Sequence, residues 1–246
     1  MQYGLTEENE MIAATVRAFV ENEIYPHEEL VERTGEVPQE IAQDIMRKTK
    51  ELGFYACNFP ESVGGAGLNH REFALVEREL GRGSMALTHF FGRPQNILMA
   101  CEGEQIERYL LPAVRGERMD ALAMTEPGAG SDLAGMSTSA MRDGDVYVVN
   151  GSKTFITNGI NADLVLLACK TDPSQKHKGM SIVVASSDTA EVLGLCDTIA
   201  TFYRGHLARG GWGLFEISHQ ADANAAQVMP TAATMSAIQL LIPTEG

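Results

Sequence analysis

The chain has 246 residues, 44% hydrophobic and 21% charged, a make-up that fits a folded globular chain and excludes intrinsic disorder. Its net charge of −14 repels phosphate backbones and anionic headgroups, so neither nucleic acid nor a membrane is expected as partner. No apolar run reaches the ~18 residues of a membrane helix, and the polar start MQYGLTEENE is no signal peptide. Cys57, Cys101, Cys169 and Cys196 lack C-x-x-C spacing, so free thiols in a cytoplasmic protein are expected.

The first third reads as helices. Thr6 can cap a helix with Ile12, Val16, Phe19 and Val20 on one face. Glu28, Glu29 and Glu32 read as a solvated helix face. Pro38 suits a first helical position, with Ile41, Ile45 and Leu52 on one side and Gly53 as the stop. NFPESVGGAGLN, 58–69, is loop by composition. Asn69 and Glu72 form a capping-box pattern ahead of Phe73, Val76 and Leu80, and Gly81 ends that helix. Pro94 opens another, with Ile97, Leu98 and Cys101 inward and Gly103 as the stop. A short helix through Ile106 and Tyr109 reaches Pro112.

Near residue 119 the pattern changes. ALAM, 121–124, is short and apolar. MSTSAMR and DVYVVN alternate and are rich in strand-forming residues. Asp143-Gly144 separates those two strands and Asn150-Gly151 precedes KTFIT; both dipeptides are strong hairpin signals. DLVLLAC and MSIVVA add two more strands. Helices first and strands second indicate an α+β fold: an all-helical N-terminal domain, 1–118, an antiparallel β domain, 119–189, and a tail, 190–246, of uncertain fold. In the tail, Trp212 and Phe215 among glycines read as a small core anchor rather than a pocket lining.

GAGSDLAG lacks the third glycine spacing of a dinucleotide fingerprint. The six histidines show no metal spacing. The compound signal is TEPGAGSD after an apolar strand, followed by NGSKTFITNGINAD. A turn after a strand presents backbone N–H groups and small hydroxyls outward. Alternation along KTFIT puts Phe155 and Thr157 on one face. A ring beside a hydroxyl suits a flat heteroaromatic ligand. On spacing alone, a purely structural turn-and-hairpin module competes with that reading.

LAMTEPGAGSD followed by GDVYVVNGSKTFITNGINADLVLLACKT resembles the acyl-CoA dehydrogenase family, as do LGFYACNFPESVGGAGLN and EGEQIERYLLPAVRGE in the helical part. The resemblance covers about residues 3–185. It implies a flavoprotein oxidoreductase of fatty acid metabolism that removes hydrogen across the α,β bond of an acyl-CoA. FAD is the implied cofactor, an electron-transfer flavoprotein the implied electron acceptor, and a homo-oligomer the implied assembly. Leu122, Ala123, Met124, Thr125, Gly130 and Ser131 match one flavin-lining segment, and Phe155, Ile156 and Thr157 match the other. Ser131 also matches a residue that contacts the acyl-CoA.

Two departures from the family pattern stand out. AEVLGLCDTIATFYRGHLARGGWGLFEIS does not resemble the continuation of the family's β domain, and the family's C-terminal helical domain is not expected among the residues given. The family's catalytic glutamate sits on that domain, so no residue here is assigned as the base; Glu216 has no claim beyond being an acid in the tail. Alternatives to the dehydrogenase reading are a non-catalytic remnant that binds a partner, and an acyl-CoA oxidase or flavin monooxygenase relative.

Overall fold

A computed structural model describes residues 4–143, 146–159 and 161–186, together with strand backbones at 200–203, 206–209, 235–236 and 240–243. The chain divides into two units, Met1–Met119 and Asp120–Gly246. The first is helical and the second is built on a sheet, the α+β order expected from the sequence. Trp212, Phe215, Glu216 and Cys196 lie outside the described residues.

In the helical unit, α1 (Glu7–Phe19) starts where Thr6 Oγ1 accepts the Asn9 N–H at 3.2 Å. Pro26 stands in the first turn of α2 (Tyr25–Thr34). It has no N–H to continue a regular ladder, and the chain passes from α1 to α2 through a π-turn, Val20–Ile24. α3 (Gln39–Glu51) follows Pro38, which occupies the N-cap rather than the first helical position. α4 (His70–Leu80) carries the full capping box. Asn69 Oδ1 accepts the Glu72 N–H at 3.2 Å, and Glu72 Oε2 accepts the Asn69 N–H at 2.9 Å. α5 (Met85–Thr88) is one turn, and its preceding residue is tied back to α2. There the Ser84 N–H donates to Glu28 Oε1 at 2.6 Å, so Glu28 is not merely solvated.

The core of this unit gathers Val16, Phe19, Ile24, Ile45, Val76, Leu80 and Phe91, with Phe19 edge-on to Phe91 at 5.3 Å. Glu79, only 2% exposed, joins α4 to α1 by accepting from Arg17 at 3.0 and 3.1 Å, and it also pairs with Arg78. The Arg17 hydrogen bond, helped by Arg78, outweighs burial and holds this carboxyl down at about 2.

The helix expected after Pro94 is absent. Asn96–Ala100 is a short 3₁₀ stretch with Leu98 buried, Ile97 exposed and Cys101 half-buried. Asn58 Nδ2 donates to Pro94 O at 2.9 Å and to Asn96 Oδ1 at 2.7 Å, which fixes the segment to the 58–69 loop instead of letting it wind. The next segment forms a π-turn, Ile106–Leu110, into α6 (Leu111–Val114), where Pro112 repeats the effect of Pro26.

The second unit contains β1 (Asp120–Ala123), β2 (Ser139–Asp143), β3 (Val146–Asn150), β4 (Ser152–Lys153), β5 (Leu164–Lys170) and β6 (Met180–Ser186). β7 (Ala200–Tyr203), β8 (His206–Arg209), β9 (Met235–Ser236) and β10 (Leu240–Pro243) come from the tail. β2 and β3 pair antiparallel as the expected hairpin, but Asp143 is itself the last residue of β2, opposite Val146, one place later than a turn centred on Asp143-Gly144 would put the pairing. β5 and β6 also pair antiparallel, and β10 adds antiparallel to β3.

The sheet is nevertheless mixed, not wholly antiparallel. β1 runs parallel to β5, Asp120 opposite Leu164 and Ala123 opposite Leu167, and β2 meets β5 parallel at Ser139–Lys170. Hairpin signals specify only strands that are neighbours in the chain; the β1–β5 pairing is non-local and leaves no such mark. Asn150-Gly151 does not fold β4 back on β3 either, since β4 pairs with β9. Gly151 instead permits close approach: a Cβ there would lie 2.3 Å from Thr138 Oγ1 and 2.6 Å from Thr138 Cα.

Cys57 and Cys169 are free and buried, and burial pushes each thiol up to about 11, which makes them poor nucleophiles. Among the described residues no helix is long and apolar enough to cross a membrane, and no cluster of three or more His, Cys, Asp or Glu could hold a metal.

Candidate functional site

The site is created by an interruption in the sheet. β1 and β2 lie end to end along the same edge of β5, and residues 124–138 leave that edge between them. Glu126 and Ala129 exchange backbone hydrogen bonds of 2.9 and 3.2 Å around Pro127-Gly128, which makes the tight turn at the start of this excursion. Gly130, Ser131 and Asp132 stand exposed beyond it. A Cβ at Gly130 would meet nothing within 4 Å, so the backbone there is open to approach.

Glu126 closes the neck of the loop. Its Oε2 accepts the Ser137 N–H at 2.6 Å and the Ser137 hydroxyl at 2.7 Å, and its Oε1 accepts the Thr138 N–H at 2.9 Å. Oε1 also takes Lys153 Nζ at 2.8 Å. The two side chains are only 2% and 3% exposed. Burial works against the charge on Glu126. The Lys153 ammonium and the Ser137 and Thr138 donors overcome it and hold the carboxyl well below the usual carboxylate range.

Lys153 reaches further. Its Nζ donates to Met124 O at 3.0 Å, and the next residue's N–H, Thr154, donates to Thr125 O at 2.9 Å. Segment 122–126 is therefore laced to segment 153–157 by one side chain and one backbone bond. The second segment is not an extended strand. β4 ends at Lys153, and Phe155 has φ 56°, in the left-handed region. A bulky side chain there is strained and needs its neighbours to impose it. Those neighbours are anchored: Lys153, Thr154 and Ile156 are buried, while Phe155 is 68% exposed and Thr157 is exposed beside it. Asn158 follows, also at positive φ, with Nδ2 donating to Asp120 O at 3.2 Å.

Residues 6–117 match the acyl-CoA dehydrogenase N-terminal domain and residues 121–197 match the middle domain. The chain belongs to the acyl-CoA dehydrogenase family. It is 37% identical over 187 residues to a 3-(aryl)acrylate reductase of Clostridium sporogenes, covering 74% of this chain and 48% of that one. It is 38% identical over 185 residues to the caffeyl-CoA reductase–Etf complex subunit CarC of Acetobacterium woodii, covering 73% and 48%. Among solved structures it is similar to an acyl-CoA dehydrogenase of Geobacillus kaustophilus, at 40% identity and TM-score 0.65 over 77% of this chain and 50% of that one. A glutaryl-CoA dehydrogenase of Mycobacterium smegmatis in complex with FADH2 matches at 29% identity and TM-score 0.65, over 81% and 49%. The chain spans about half the length of the curated relatives it matches.

The residues singled out from the family resemblance sort by exposure. Gly130, Ser131, Phe155 and Thr157 are exposed, and Leu122, Met124 and Thr125 are half-buried. Ala123 and Ile156 point into the sheet's core, with Ala121, Ala140 and Val149, so only their backbones are available to a ligand. Sequence reasoning missed Glu126 and Lys153. Their one local signal is a charge set within each segment, a lysine beside Thr154-Phe155-Ile156 and an acid directly after Thr125, and nothing in either segment marks the charge as buried.

Proposed function

We propose that this chain contributes the flavin-facing and thioester-facing surfaces of an FAD-dependent acyl-CoA dehydrogenase. The observation that carries the reading is the lacing of 122–126 to 153–157, which leaves Phe155 and Thr157 outward. An exposed aromatic held at positive φ gains little within the chain itself, and a ring-shaped ligand gives that conformation a use. These residues fit a flavin. The Phe155 ring offers a flat apolar surface, Thr157 and Thr125 offer hydroxyls, and Leu122 and Met124 offer half-buried apolar contact. Bound FAD would supply the acceptor for a hydride from the substrate's β-carbon.

The remaining roles belong to the protein. Thr157, exposed beside Phe155, would donate a hydrogen bond to the flavin and fix its orientation. Ser131 and the open backbone at Gly130 contact the acyl-CoA on the other side of the loop. Orientation of the two reactants is the protein's main contribution. The same geometry serves oxidation and, in reverse, reduction of an enoyl-CoA. Electrons pass to or from an electron-transfer flavoprotein.

Titration with FAD, followed by flavin fluorescence, is the first test; no binding at millimolar FAD would refute the reading. Stopped-flow bleaching of the loaded protein by acyl-CoAs is the second. Thr157→Val removes one hydrogen bond, on the order of 0.5–1.5 kcal/mol, and should slow bleaching by up to about tenfold with acyl-CoA affinity kept. Ser131→Ala should weaken acyl-CoA binding and leave the flavin in place. Oxygen consumption during turnover would point to an oxidase, and a flavin that no acyl-CoA bleaches would point to a binding protein.

A further inference from the structure

We infer that Lys153 is a positioning residue, whose buried ammonium, held by Glu126, fixes the backbone that presents Phe155 and Thr157. The link to flavin rests on the functional reading above; the link to backbone position does not. Glu126 lies at the neck of the 124–138 loop, and Lys153 lies 27 residues further on. Lys153 Nζ binds Glu126 Oε1 and Met124 O together, so one ammonium holds a side chain and a main-chain carbonyl of the same strand end. The adjacent Thr154 N–H to Thr125 O bond then has a fixed register. Two residues beyond Lys153, the chain enters the left-handed conformation at Phe155, and it is anchored again by buried Ile156.

An ion pair is a poor choice for stability alone at such a site. Its desolvation cancels much of the attraction, and apolar residues of similar volume often serve as well. What a charge pair adds is direction. The ammonium must meet acceptors at set angles, and the carboxylate must receive the Ser137, Thr138 and Lys153 donors together. On the other side, Gly151 packs against Thr138 with no room for a Cβ, so the segment cannot slide. Loop neck, strand end and 153–157 segment are joined at one carboxylate.

The test uses Lys153→Met, similar in length and uncharged, the double variant Lys153→Met with Glu126→Gln, and Lys153→Arg. Hydrogen exchange is read on peptides covering 121–127 and 150–158, with 7–19 and 70–80 as internal references, and FAD affinity is measured in parallel. Lys153→Met should speed exchange in the two site peptides by about tenfold or more while the references hold, and FAD affinity should fall by a similar factor. The double variant, with no unpaired charge, should regain melting temperature but not site protection or FAD affinity. Lys153→Arg, which keeps the charge, should recover part of both. If Lys153→Met does not fold, the double variant carries the same readouts. Site peptides that exchange like the parent's, or that change only in step with the reference peptides, would overturn the positioning role. If the parent itself binds no FAD while site exchange responds as expected, the flavin reading falls and the positioning role stands.

Discussion

Replacing Glu126 with Gln changes one atom in the most heavily bonded side chain of the site. The carboxylate accepts four hydrogen bonds, from Ser137 N, Ser137 Oγ, Thr138 N and Lys153 Nζ. Glutamine keeps one acceptor oxygen and turns the other into a donor. The oxygen should stay toward Lys153 and Thr138, because that side holds the buried charge. The new NH₂ then faces Ser137, whose hydroxyl can turn to accept, while the Ser137 N–H loses its partner. Uncompensated loss of a buried pair costs about 3–5 kcal/mol. Re-pairing at Ser137 recovers part of this, so about 3 kcal/mol is expected at pH 7. The assay is urea unfolding followed by circular dichroism, with hydrogen exchange identifying which transition belongs to the second unit. The pH dependence separates charge from packing. Glu126 is held below its ordinary 4.5, so its stabilisation is complete above that value and drains as the pH falls further. Glutamine does not titrate, so the gap between parent and variant should close below pH 4.5, by up to about 1.4 kcal/mol per pH unit. A gap under about 1 kcal/mol at pH 7, or one that stays constant down to pH 3, would refute the reasoning.

Glu79→Gln should destabilise the helical unit by about 1–2 kcal/mol at pH 7, less than a fully buried pair because the arginines around it are about half exposed and screened. That difference should shrink with added salt, and it should fade as the pH drops from the ordinary 4.5 toward about 2, where Glu79 takes up its proton; guanidine-free urea melts at several pH values would show it. Gly151→Ala drives a methyl into Thr138 and should cost about 1–3 kcal/mol; Thr138→Ala should not rescue it, because Thr138 Cα is also in the way, and thermal melts of the three variants decide the matter. Phe155→Gly relieves about 1–2 kcal/mol of left-handed strain against about 0.5–1 kcal/mol of added unfolded-chain freedom, so the variant should melt no lower than the parent while FAD titration shows weaker binding.

What the sequence discloses about this chain depends on how far apart the interacting residues lie. Thr6 over Asn9 and Asn69 with Glu72 are contacts within one helical turn, and both helix starts are legible in the residues themselves. The Asp143-Gly144 hairpin is legible for the same reason. The parallel β1–β5 pair is not, because nothing near Asp120 names Leu164 as its partner. KTFIT falls between the two cases. Its pattern of exposure is legible, with Phe155 and Thr157 outward and Ile156 inward, but its backbone is not, since Phe155 is one of the last residues that local preference would put at positive φ.

Lys153 is the extreme case. After Asn150-Gly151-Ser152 it looks like a solvated turn lysine, and only a carboxylate far back in the chain makes its burial tolerable. The converse holds for Glu126, which without Lys153 would leave a buried charge with only neutral donors. TEPGAGSD and NGSKTFIT, recognisable as two separate motifs, are thus halves of a single device, each carrying one charge of the pair. Neither half can be replaced alone without stranding the other's charge, and both can be read for function only together. Glu126 and Lys153 are themselves buried, yet they set where the exposed residues stand.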